Sequence, residues 1–286
     1  MPLRFFLPMI LAAVCVLDIF FWFRIVTGSA LPAGKIFFLN VGQGDSELAV
    51  LPGGATIMTD AGPDAAVLAA LAHAVPSLRS IDLAVITHPQ LDHFNGYNFV
   101  LDHYHVGAFI YNGRDDPGVA EWAELKAKIG ERHIPFITLA AGDAIRCGDD
   151  TVSILSPGGI FRSSAELNDT GLVEMFTMPH FRALFAADIG SAVERQLLAM
   201  VPDLHAAILK VAHHGSKYAS GAAFLAAVHP VAAVIEVGAK NTYGQPDAGT
   251  LARIASSTGA EIFRTDRNGT VEVSYEDGSL EAVKER

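Results

Sequence analysis

Two short apolar runs end in histidines far apart along the chain. Residues 84–87 lead into His88-Pro89-Gln90-Leu91-Asp92-His93, and residues 208–211 lead into Ala212-His213-His214-Gly215. An apolar run of four or five residues closed by turn formers reads as a buried strand. An imidazole or carboxylate at such a strand end must find a partner, because a polar group left unpaired in the interior costs several kcal/mol, roughly 2–7 by transfer scales. In α/β sheets, groups beyond the carboxyl ends of strands gather in one crevice. The chain is therefore constrained to an α/β fold that brings both loops to a common edge.

The rest of the pattern agrees. After a Gly/Ser/Pro linker at 27–34, strands are expected at 36–40, 47–51, 56–59, 83–87, 109–111, 152–155, 172–177, 183–187, 207–211, 232–237, 261–264 and 271–275. Helices are expected at 64–73, 97–104, 119–132, 191–200, 222–228 and 248–257, with Ser191 as a cap. Gly42-Gln43-Gly44 lacks the third glycine and following helix of a dinucleotide fingerprint and reads as a strand turn. Residues 35–278 read as one domain built from two similar halves.

Hydrophobic residues make up 51% of the 286, high for a soluble protein, and much of the excess lies at 5–26. Fourteen of those residues are Leu, Ile, Phe or Val. They supply roughly −4 to −8 kcal/mol for insertion against about +3 for the off-centre Asp18. Residues 1–30 are thus expected to form a single membrane anchor, with the body outside the cytoplasm at the cell membrane. The alternative is a secretory signal removed near Gly28-Ser29-Ala30.

Two cysteines, Cys15 and Cys147, are too few for a thiolate metal site. Any cation must be held by His and carboxylate, and that donor set suits zinc, or manganese second, better than calcium or magnesium. The candidates are His88, Asp92, His93, His213, His214 and Asp188, which closes the apolar run Leu184-Phe185-Ala186-Ala187. Asp60, after Met58-Thr59, has the same setting and is expected to orient a ligating histidine. The other seven of the 11 histidines lack such context and read as surface or structural residues.

These stretches resemble the metallo-β-lactamase-fold hydrolases, and within them the C-terminal domain of the DNA-uptake channel protein ComEC and its stand-alone relatives. The resemblance is carried by Val41-Gly42-Gln43-Gly44-Asp45-Ser46, Thr59-Asp60-Ala61-Gly62, Thr87-His88-Pro89-Gln90-Leu91-Asp92-His93, Asn168-Asp169-Thr170, Ala187-Asp188-Ile189, Lys210-Val211-Ala212-His213-His214-Gly215-Ser216-Lys217 and Asn241-Thr242-Tyr243-Gly244-Gln245-Pro246. It runs in order from about residue 36 to 275. It implies a four-layer αββα sandwich and hydrolysis by a metal-bound hydroxide. It also implies His88, Asp92, His93, Asp188 and one of the His213–His214 pair as ligands. Two departures matter. Gln90 stands where the family carries His or Asp, and Gln245 where it often carries His. One firmly held ion and a weak or absent second are expected.

Three functional readings follow. The first is a metal-dependent phosphodiesterase or nuclease, with DNA as a candidate substrate. Asp92 would orient or deprotonate the water, and His214, Lys217, Asn241 or Tyr243 would meet charge on the substrate or leaving group. The second is a hydrolase of a small envelope phosphoester, favoured by a net charge of −11. The third is a membrane-tethered binding module whose metal site has decayed. The membrane is the expected partner, and no stable protein partner is inferred.

Overall fold

The computed structural model describes residues 34–276 and 279–285, together with Asp18. Apart from Asp18, the expected membrane segment lies outside the described residues. Among the described residues no helix is long and apolar enough to cross a membrane.

The chain lays down six strands first: β1 (Lys35–Phe38), β2 (Glu47–Val50), β3 (Thr56–Thr59), β4 (Ser80–Ile86), β5 (His105–Tyr111) and β6 (Phe136–Thr138). Seven more follow in a second sheet: β7 (Ala144–Cys147), β8 (Asp150–Ser156), β9 (Val173–Thr177), β10 (Arg182–Phe185), β11 (Ile208–Lys210), β12 (Ala232–Ile235) and β13 (Glu261–Arg264). The last two, β14 (Val271–Glu276) and β15 (Ser279–Lys284), return to the first sheet beside β1. Among the described residues the sheet orders are β15-β14-β1-β2-β3-β4-β5-β6 and β13-β12-β11-β10-β9-β8-β7. The first sheet thus joins strands from both ends of the described chain, and the second is built from the stretch between them.

The helices are α1 (Ala66–Ala74), α2 (Leu91–Phe94), α3 (Tyr97–Val100), α4 (Ala120–Glu131), α5 (Ser191–Met200), α6 (Ala222–Val228), α7 (Ala248–Thr258) and α8 (Thr265–Asn268). Three apolar cores define the layers. Phe38, Val85, Phe176 and Phe185 fill the space between the sheets. Leu71, Tyr97, Trp122 and Leu125 pack helices on the outer face of the first sheet, and Leu197, Phe224 and Ile254 on that of the second. The result is the expected helix–sheet–sheet–helix sandwich.

Several local expectations are corrected. The helix expected at 97–104 stops at Val100 and continues as turns, with the amides of Asp102 and His103 bonding three residues back. Gly190, not Ser191, holds the cap position of α5, and no side-chain cap bond forms. Strands β6, β7 and β15 were not anticipated. They are short or alternately exposed, so they leave no apolar run to read.

What matters for the site is direction. β3 and β4 run parallel, as do β10 and β11. Asp60 and His88 leave the carboxyl ends of the first pair, and Asp188 and His213-His214 those of the second. The two sheets therefore deliver their polar loops to one shared edge.

Candidate metal centre

Short helix α2 carries Asp92 and His93 directly after β4. His93 Nε2 lies 3.4 Å from Asp188 Oδ2, and His214 Nε2 lies 3.5 Å from the same oxygen. Asp92 closes the set, with Oδ2 3.4 Å from His214 Nε2 and Oδ1 3.9 Å from His93 Nε2. Asp188, His93 and His214 are buried, while Asp92 is 35% exposed along its side chain.

The imidazoles are oriented from behind. Asp60 Oδ2 accepts from His93 Nδ1 at 2.7 Å, and the Glu236 carbonyl accepts from His214 Nδ1 at 2.9 Å. Asp60 is itself fixed by the Thr87 amide at 2.9 Å and the Thr87 hydroxyl at 2.6 Å. A neutral imidazole protonated at Nδ1 presents its lone pair at Nε2. Those two Nε2 atoms are buried and have no hydrogen-bond partner among the described residues. Two orphaned nitrogens aimed at shared carboxylates fit a divalent cation of the zinc type. Asp60, the expected orienting carboxylate, thus hydrogen-bonds one candidate ligand, His93.

The electrostatics point the same way. Burial alone would lower His93, but Asp188, Asp60 and Asp92 outweigh it and raise the imidazole well above its usual range. Burial would raise Asp188, yet His214 and His93 hold it well below the carboxylate range. Asp92 is likewise held at about 2, its partial burial overcome by His93 and His214. The pocket thus attracts positive charge to one point.

Of the adjacent pair, His214 is the inward residue. His213 is 30% exposed and keeps its Nε2 3.8 Å from Asp188 Oδ2, with Asn168 Nδ2 3.4 Å away. The turn that separates them is strained: His213, His214 and Gly215 have φ of 51°, 52° and 77°. Such left-handed residues other than glycine cost on the order of 1–3 kcal/mol each. A Cβ at position 215 would sit 2.6 Å from Pro246 Cβ, so only glycine fits.

His88 is buried but differently engaged. Its Nε2 lies 2.9 Å from Gln90 Oε1 and its Nδ1 2.9 Å from Thr87 Oγ1. Burial lowers it to about 4, so it is neutral at pH 7. Gln90 therefore reaches the site, as a partner of His88.

The remaining candidates are placed less centrally. Tyr243, 74% exposed, lines a hollow of about 290 Å³ over the centre together with Gln90, Asp92, Asn168 and His213. Lys217 lines a neighbouring hollow, its Nζ 5.0 Å from the Tyr218 ring centroid. Asn241 departs from its expected role as a substrate contact. Its Nδ2 donates to the carbonyls of Gly238 and Gln245 at 2.9 and 2.7 Å, and its Oδ1 accepts from the amides of Tyr243 and Gln245. The carboxamide is saturated by its own loop. Gln245 also braces the site, donating to the His213 carbonyl at 3.1 Å and accepting from Gln43 at 3.0 Å.

Sequence reasoning missed the layer beneath. Lys210 is ion-paired with Asp45 and donates to the Ala187 carbonyl at 3.1 Å, and Asp45 Oδ1 lies 3.1 Å from His214 Nδ1. Glu47, Glu174 and Glu236 are also buried there. Burial pushes the Glu174 carboxyl up to about 8 and the Lys210 ammonium down to about 7. The readable signal was a charge inside an apolar strand, as in Ile208-Leu209-Lys210-Val211 and Val173-Glu174-Met175-Phe176.

No protein-family model matches the chain. It is 26% identical over 204 residues to ComE operon protein 3 of Bacillus subtilis (strain 168), covering 69% of this chain and 25% of that one. It is 27% identical over 226 residues to competence protein ComA of Neisseria gonorrhoeae, covering 77% and 30%. The chain spans about a quarter to a third of the length of these relatives. Among solved structures it is similar to Tm1679, a metal-dependent hydrolase of the β-lactamase superfamily (TM-score 0.51, 10% identity, 85% of this chain and 100% of that one). The chain has the metallo-β-lactamase fold and is similar in sequence to the competence relatives. CmlA, a diiron β-hydroxylase from Streptomyces venezuelae, shares the fold at a TM-score of 0.57, 13% identity, 85% of this chain and 54% of that one. So does a diphosphatase of the PhnP family, at 0.50, 12%, 85% and 98%. At these identities the shared feature is the fold, and the chemistry must be argued from the centre itself.

Proposed function

We propose that the chain is a metal-dependent hydrolase acting on a phosphodiester, with nucleic acid as its leading substrate. The reading rests on one observation: two buried, unpartnered imidazole nitrogens converge on Asp188 Oδ2 at 3.4 and 3.5 Å. Asp92, His93, Asp188 and His214 would hold one divalent cation, zinc before manganese. When bound, the cation supplies Lewis acidity toward a phosphoryl oxygen and makes water a better nucleophile near pH 7.

The chain's own residues do the rest. Asp92, ionised and partly open to the hollow, orients the incoming water. His213, at the mouth, meets charge on the substrate. Asp60 and the Glu236 carbonyl keep both ligating rings in the Nδ1–H tautomer. Tyr243 borders the central hollow and two adjoining ones, which reach Lys240 on one side and Lys217 on the other. A trough flanked by two lysines supports an extended polyanion, with Lys217 as a phosphate contact rather than a proton donor. The competence relatives favour the same substrate. The apolar stretch at 5–26 would anchor this domain at the cell membrane, on its outer side.

A small envelope phosphoester is the second reading, favoured by the net charge of −11. The test is cleavage of bis-p-nitrophenyl phosphate and of single-stranded DNA, before and after chelation, with His93→Ala as control. Metal-dependent cleavage of both, lost in the variant, is expected. Equal rates in wild type and His93→Ala would overturn the proposal, and cleavage of the small ester alone would select the second reading. A well-folded protein that binds no ion would select the binding module.

A further inference from the structure

His88 belongs geometrically with the centre but is tied up within it. Its ligand atom lies within 4.8 Å of those of His93 and Asp188, and its ring centroid is 4.2 Å from that of His93. It is fully buried. Unlike His93 and His214, it has a partner on each nitrogen: Thr87 Oγ1 and the Gln90 carboxamide, both at 2.9 Å.

Proton accounting shows what this means. Thr87 has one hydroxyl proton, and it goes to Asp60 Oδ2 at 2.6 Å. The proton shared between His88 Nδ1 and Thr87 Oγ1 therefore belongs to Nδ1. His88 Nε2 is then an acceptor, satisfied by the NH₂ of Gln90 once the carboxamide is turned to match the network. The Nε2 lone pair is thereby closed to a cation.

The Gln90 backbone is pinned, so its side chain starts from a fixed place. Its amide donates to the His88 carbonyl at 2.9 Å, and its own carbonyl accepts from His93 and Phe94 at 3.0 and 3.1 Å. Its side chain lines the hollow. Resting on the metal-centre reading above, we propose that Gln90 is a built-in occupant of the second cation position, holding His88 out of the ligand set so that the centre takes one ion. This differs from Gln90 acting merely as a weak ligand. A weak ligand helps a second ion bind, whereas a lock opposes it, so removing the amide has opposite consequences in the two cases.

The test uses the full chain, freed of metal and titrated with zinc by calorimetry, with ¹⁵N-histidine NMR reporting on His88. Wild type should take one equivalent, with the His88 nitrogens unmoved. Gln90→Ala and Gln90→Leu should each gain a second equivalent that binds at least about tenfold more tightly than any second event in wild type, and His88 Nε2 should shift as it becomes a ligand. Gln90→His should take two equivalents most tightly. The lock is overturned if wild type takes two equivalents with His88 shifted, or if both Gln90→Ala and Gln90→Leu stay at one. If wild type takes none, the metal-centre reading falls and the lock with it.

Discussion

His88 and His93 stand five residues apart, fully buried, with ring centroids 4.2 Å apart, yet their nitrogens are spent in opposite ways. His93 gives Nδ1 to Asp60 and leaves Nε2 free, whereas His88 has a partner on each nitrogen. Burial and residue type are the same. What distinguishes a candidate ligand from an engaged neighbour is the partner on the far nitrogen and whether the near one is already bonded. The second loop repeats the lesson: His214 is held from behind by the Glu236 carbonyl, while His213 faces the mouth.

The largest effects should come from breaking that contrast. His93→Ala or His214→Ala should abolish stoichiometric zinc binding and lower hydrolysis by about a thousandfold or more, read by metal analysis and initial rates. Equal metal content in the two variants and wild type would erase the distinction between the loops. Asp60→Asn comes next. It leaves the ligands in place but weakens the orienting partner, so zinc affinity should fall about 10–100-fold.

The buried layer offers a pH test of intermediate size. Glu174 is raised to about 8 in the folded chain against 4.5 for the free group. The native state therefore binds more protons than the unfolded state between those values, and stability falls as pH rises through that window. The slope from this residue approaches about 1.4 kcal/mol per pH unit, and Glu174→Gln should flatten it in urea melts. An unchanged slope would mean that the carboxylate is solvated. The smallest effect belongs to the rim: Lys217→Ala should weaken single-stranded DNA cleavage a few-fold at low salt and leave bis-p-nitrophenyl phosphate untouched. A loss on the small ester would move Lys217 into the chemistry.

Much of this was legible in one dimension. Apolar runs that stop at His88, Asp188 and His213 announce buried strands and the edge where their ends meet, because a strand that is buried on both faces has few polar positions. The layer of Asp45, Glu47, Lys210 and Glu236 was less visible. Charges within strands declare that partners exist without naming them, and Lys210 finds Asp45 a full 165 residues away. Asn241, expected from its motif to meet substrate charge, spends its carboxamide on its own loop.

The amino-acid order alone determined the alternation of strands and helices, the histidine-bearing strand ends and the absence of a thiolate site, since these depend on local periodicity and residue chemistry. Only the tertiary structure decided which imidazoles keep a free nitrogen, which of His213 and His214 turns inward, and that Gln90 grips His88. Those outcomes depend on hydrogen-bond partners contributed by distant segments, and a proton can be assigned only when both of its neighbours are in place.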